Sequence, residues 1–288
     1  MSKLPEIKTW LTIDLKTSTD GRYEHALVTE VDGTRNKMLP RLRVLVSEAH
    51  DDARRRLRRL AYGSLDPLGE YPRGDPAEGY PEQLNPLTLK GYFGEILAGA
   101  IASNTPCFGQ SDWEVPAHLF RCHLVEFQHL ALIKQTGQPA GIRPGRTGDD
   151  CLAFRQKDDR IVAAMFCEAK CTKNHDTELI QDAHEKSSLP NLVPVDLLQL
   201  VEVLEDSLNP AAARWVRLLR RLNFEGGAAD YERVDQITYV CGQQPKRNSR
   251  WIGHEKPHDG YTGGRRLHVA EVQLPEVEQL ITDVYRGT

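Results

Sequence analysis

The chain has 288 residues, 40% of them hydrophobic and 27% charged, with a formal net charge of -4. That is the balance of a globular protein with room for one large domain, or for a core and an added lobe. No apolar run approaches the roughly eighteen residues of a membrane span, and Met1 to Trp10 lacks the apolar centre of a secretory signal, so a cytoplasmic protein without membrane contact is expected. Net acidity argues against a surface that is basic all over, as phosphate binding would favour. The basic residues are clustered, however, at Arg54 to Arg59, Arg214 to Arg221 and Lys246 to Arg250. Six cysteines, at 107, 122, 151, 167, 171 and 241, form no Cys-x-x-Cys and are expected to be free thiols. The spacings of His123, His129 and His184 support no zinc site.

In chain order, residues 9–15 and 23–31 read as two strands with Gly21 in the turn between them. Residues 39–60 carry Leu42, Leu45, Val46, Ala49, Ala53, Leu57 and Leu60 at helical spacing. The arginines at the end of that helix suit either the helix dipole or a phosphate-contacting face. Residues 62–86, with repeated Pro and Gly, read as a linker, which sets an N-terminal lobe at residues 1–75 apart from a core at 86–288. A helix is expected over 88–102, where Gly91, Gly94, Ala98 and Gly99 would let it approach a sheet closely. Glu95 sits in the middle of its apolar stretch. A further helix is expected over 119–134. Then comes a Gly/Pro-rich loop at 136–147, whose Arg143 and Arg146 are candidate phosphate contacts.

Next, two apolar runs flank the polar segment Arg155 to Asp159, the pattern of a β-hairpin. Gly148-Asp149-Asp150 opens it and Cys167-Glu168-Ala169-Lys170 closes it. Side chains two apart in a strand share a face, so Glu168 and Lys170 project together, and pairing brings Asp149 or Asp150 beside them. Which of the two acids it is depends on register, since a one-residue shift exchanges their faces. Converging carboxylates are costly to bury without compensation, and a hard divalent cation would compensate. The lysine could align or deprotonate an attacking water and offset charge on phosphorus. The chemistry that fits is metal-assisted phosphodiester hydrolysis. Beyond the hairpin, helices are expected over 176–187, 194–204, 210–222 and 276–285, and strands over 236–242 and 267–274.

Gly148-Asp149-Asp150 followed by Glu168-Ala169-Lys170, with Glu95 on an upstream helix, resembles the PD-(D/E)xK nuclease superfamily. The proline that names the motif is absent. The resemblance implies an α/β fold, a restriction-endonuclease-like mixed sheet flanked by helices, here with a small N-terminal α+β lobe and a helical C-terminal half. It implies a Mg²⁺- or Mn²⁺-dependent DNA endonuclease in which Asp150 and Glu168, with the Ala169 carbonyl, hold the metal. Lys170 would align the water, and Glu95 would support water or a second ion. Asp149 is the reserve ligand, and Gln181 is the polar residue expected on the helix that follows. Gly91-x-x-Gly94-Glu95, Gly145 to Asp150 and Cys167 to Lys170 are similar, more narrowly, to effector nucleases of Hachiman-type antiphage defence, which implies a helicase partner. The alternative is a catalytically silent module of the same fold that binds nucleic acid or protein.

Overall fold

In the computed structural model, which describes residues 6–62, 74–120, 149–190, 194, 196–224, 231–246 and 249–287, the chain opens with a helical turn, α1 (Ile7–Trp10). The hairpin β1 (Leu11–Thr17) and β2 (Tyr23–Glu30) follows, then α2 (Arg35–Tyr62) and α3 (Pro86–Asn104). A second hairpin, β3 (Cys151–Lys157) and β4 (Arg160–Thr172), leads into the helices α4 (Thr177–Ser187), α5 (Leu197–Glu205) and α6 (Ala212–Phe224). Strands β5 (Glu232–Cys241) and β6 (Arg266–Gln273) and helix α7 (Val277–Arg286) complete the order. The helix expected over 119–134 lies outside the described residues from 121 onward, as do His123, His129, Arg143 and Arg146.

The six strands of the described residues form one mixed sheet in the order β1-β2-β6-β5-β4-β3. The four inner strands run parallel to one another, and each outer strand is antiparallel to its neighbour. Strands β5 and β6 are buried almost from end to end, as parallel strands covered on both faces must be. Edge strand β1 alternates little and is mostly exposed beyond Leu11.

This arrangement corrects the expected N-terminal lobe. Strand β2 pairs in parallel with β6 from Tyr23↔Leu267 to Thr29↔Gln273, so the first hairpin extends the core sheet. The alternation in residues 23–30 marks a strand but carries nothing about a partner so distant in the chain.

One face of the sheet is covered by α2, α3 and α7, whose apolar residues pack with Ala26, Val28, Val240, Ala270 and Val272. The other face packs α5 and α6 on Leu152, Phe154, Ala164 and Phe166, and α4 on Ile237, Tyr239 and Val269. Helix α3 lies close, as its small residues predict. A Cβ at Gly94 would stand 3.2 Å from the Cys171 Cβ, and one at Gly99 only 2.7 Å from the His118 ring.

The second hairpin turns more tightly than its polar segment suggests. Strand β3 continues to Lys157, with an irregularity between Arg155 and Gln156, and only Asp158 and Asp159 form the turn. Both have positive φ, 49° and 57°, which a two-residue hairpin of right-handed twist requires and Asp tolerates. Among the described residues, no helix is long and apolar enough to cross a membrane.

Candidate active site

The end of the β3–β4 hairpin gathers the acids. Cys151 pairs with Cys167, which sets Asp150 beside Glu168 at the next step outward, and the Asp150 amide donates to the Cys167 carbonyl at 2.9 Å. Asp150 is buried, and its Oδ2 accepts the Ala169 amide proton at 2.7 Å. The Asp149 amide donates to Asp196 Oδ2 at 3.1 Å, just before α5. Register therefore places Asp150, rather than Asp149, next to Glu168.

Alternation along β4 sends Ala169 and Cys171 toward α3, and Glu168 and Lys170 toward α4. Lys170 Nζ lies 2.7 Å from Glu168 Oε1 and 2.6 Å from Asp182 Oδ2 on α4. Lys186, one helical turn on from Asp182, brings its ammonium 3.4 Å from Glu168 Oε1 and 3.2 Å from Asp182 Oδ2. The inner pair, Lys170 and Glu168, is 13% and 8% exposed, and the outer pair, Lys186 and Asp182, 42% and 47%. Helix α4 is held in place by its cap. Asp176 accepts the amide protons of Glu178 and Leu179, and its own amide donates to the Tyr239 hydroxyl.

The electrostatics follow from burial and charge. Burial, then the charge of Asp150, pushes the Glu168 carboxyl above its usual range, against the pull of Lys170 and Lys186. Burial alone would lower Lys170, but Glu168 and Asp182 outweigh it and hold the ammonium firmly protonated. Partial burial of Asp182 is overcome by its two lysines, which lower its pKa. Asp150, Glu168 and Asp182 set three carboxylates against the two ammoniums, an excess of one negative charge among these side chains. Among the described residues, no group of three or more His, Cys, Asp or Glu is placed to hold a metal ion. Asp150 and Glu168 fit a sparser site, in which Mg²⁺ keeps several waters and takes one or two carboxylates.

The other two expected residues lie on helices α3 and α4. Glu95 is buried in α3, on the face of the sheet opposite Glu168 and Lys170, and its charge is felt by the Tyr285 hydroxyl of α7. The helix was legible, but spacing alone does not show which side of a sheet it will cover. Gln181 turns away and donates to Glu185 Oε1 at 2.7 Å. Its neighbour Asp182 occupies the place expected of it, with Lys186. The signal for that pair is the Asp-x-x-x-Lys spacing on α4, beside the buried positions Ile180, Ala183, His184 and Ser187.

Comparison with protein-family models and with curated proteins returned no match. The described cysteines, Cys107, Cys151, Cys167, Cys171 and Cys241, are free thiols. His184 is buried and bonded to the Ile180 carbonyl, a packing role. Much of the arginine clustering is spent within the fold. Arg54 pairs with Asp51 and Glu82, Arg55 with Asp52, Arg58 with Asp75 and Arg59 with Asp206. On α6, Arg214 meets Gln156, Arg217 meets Asp159 and Arg220 meets Glu205. Arg250 pairs with Asp14. Several of these pairs join α2 to other parts of the chain, a use that neither the helix-dipole nor the phosphate-contact reading of its arginines supplied.

Proposed function

We propose that the chain is a metal-dependent nuclease that hydrolyses phosphodiester bonds in DNA. The observation that supports this is the meeting of Asp150, Glu168 and Lys170 at one end of the β3–β4 hairpin. Asp150 and Glu168 would hold Mg²⁺ or Mn²⁺. When bound, such an ion supplies Lewis-acid polarisation of the phosphate and a more acidic water. Lys170, flanked by two carboxylates, serves as a charged donor: it orients the water and the scissile phosphate and offsets the charge growing on its oxygens. It does not serve as the proton acceptor. The Ala169 amide steers one oxygen of Asp150.

The biological setting rests on the resemblance alone. In that reading the chain is the effector of an antiphage defence system of the Hachiman type and works with a helicase partner that restrains cleavage until damaged or invading DNA is met.

Supercoiled plasmid incubated with the purified protein and Mg²⁺ or Mn²⁺ tests the activity. Glu168→Ala and Lys170→Ala should each lower the cleavage rate by about 100-fold or more while leaving the circular-dichroism spectrum unchanged. Cleavage that survives both substitutions would refute the site. If the unsubstituted protein is inactive alone and also with the product of the neighbouring gene, a silent binding module becomes the better reading.

A further inference from the structure

Asp182 and Lys186 stand one turn apart on the half-exposed side of α4, and the ion pairs they make have a particular form. Each of the two ammoniums, Lys170 and Lys186, contacts the same two carboxylate oxygens, Glu168 Oε1 and Asp182 Oδ2. Glu168 is thus a buried acid of the site and also the shared partner of two cations. A divalent cation that takes Glu168 through Oε1 must compete with both lysines for that oxygen. Glu168 could leave them at low cost only if another carboxylate already stood within contact of both ammoniums. Asp182 is in that position, and it is bonded to both before any exchange begins.

We propose that Asp182 is a positioning residue that retains the charges of Lys170 and Lys186 when Glu168 turns to a divalent cation, and so sets the metal affinity of the site. The inference rests on the metal-dependent reading above. Without Asp182, Glu168 is the last carboxylate in contact with the two buried or half-buried ammoniums, and moving it would strand them. Lys186 then has a defined part as well. It is the outer cation that Asp182 withdraws from Glu168.

Binding of Mn²⁺, followed by loss of the free-ion electron paramagnetic resonance signal, tests this without any turnover. Asp182→Asn should weaken Mn²⁺ binding about tenfold. That loss would also follow if Asp182 contributed only a nearby negative charge, so the substitution is repeated in a Lys170→Gln/Lys186→Gln background. There no ammonium is left to retain, and Asp182→Asn should change the affinity by less than about twofold. If circular dichroism shows the double background unfolded, Lys170→Gln alone serves, and the effect of Asp182→Asn should shrink within it. An equal loss in both backgrounds, or no loss in the unsubstituted one, would overturn the role of Asp182 while leaving the metal site standing. Failure of the unsubstituted protein to bind Mn²⁺ would remove the metal-dependent reading and this inference with it.

Discussion

His184 lies on the side of α4 that faces the sheet, fully buried, with Nδ1 2.7 Å from the Ile180 carbonyl oxygen. Burial lowers its pKa to about 4, with the nearby His258 adding to the effect and the Ile180 carbonyl opposing it. The unfolded chain takes up this proton near pH 6.5 and the folded chain only near pH 4, so the stability at stake is intact above pH 6.5 and is lost as the pH falls toward 4. At pH 5 the loss is about 2 kcal/mol. Denaturant unfolding at pH 7 and pH 5 should therefore show a drop in the native protein that is smaller by about that amount in His184→Phe. Equal drops in the two proteins would mean that His184 is not held neutral. Legibility at this scale was uneven for a physical reason. Strand parity is strict, so Glu168 and Lys170 could be placed on one face from their numbers alone, and the choice between Asp149 and Asp150 needed only the register. Helix positions are less strict. Gln181 and Asp182 differ by 100° around α4, and only the packing of Ile180, Ala183 and His184 decides which of them meets Lys170.

Helix α4 is the element on which the site depends, because it delivers Asp182 and Lys186 and follows directly on β4. With 11 residues it is too short to persist without tertiary support, so its first turn is a point of control. Asp176 Oδ1 accepts from the amides of Glu178 and Leu179 at 3.0 and 3.2 Å. Asp176→Ala should cost about 1 kcal/mol in denaturant unfolding, while Asp176→Asn should cost much less, since the amide oxygen can still accept. Amide exchange at Glu178 and Leu179 should quicken in the alanine variant. Unchanged exchange there would show that the cap does not hold the turn. Elements of this kind were readable because amphipathic spacing, caps and β-branched runs are local. The hairpin turn was read too broadly because Arg155 and Gln156 are polar yet remain in the ladder, while the positive φ of Asp158 and Asp159 is a backbone property that composition only hints at.

At the scale of the whole molecule, the sequence suggested a lobe and a core, and the structure shows a single sheet. The break was inferred from Pro and Gly at 62–86, a local signal, whereas the parallel pairing of β2 with β6 joins residues some 240 positions apart. Three kinds of contact hold that junction. Tyr23, Ala26, Leu27 and Val28 are buried against their neighbours in the sheet. His25 Nε2 meets Glu271 Oε2 at 3.3 Å across the two strands, both side chains being fully buried. Helix α2 adds Leu42, Leu45, Val46 and Ala49 to the cluster shared with α3 and α7. A chain beginning at residue 86 would leave β6 as an open edge, with Glu271 buried beside no His25 and a large apolar face uncovered. Such a fragment should lack a cooperative thermal transition by circular dichroism and should associate in sedimentation analysis, whereas the full chain should melt in one step. A fragment that melts cooperatively as a monomer would show that the first hairpin and α2 form a separable unit after all. If the fragment fails as expected, the β3–β4 end that carries Asp150, Glu168 and Lys170 depends on strands at the far side of the sheet, because the site and the first hairpin share one cooperative core.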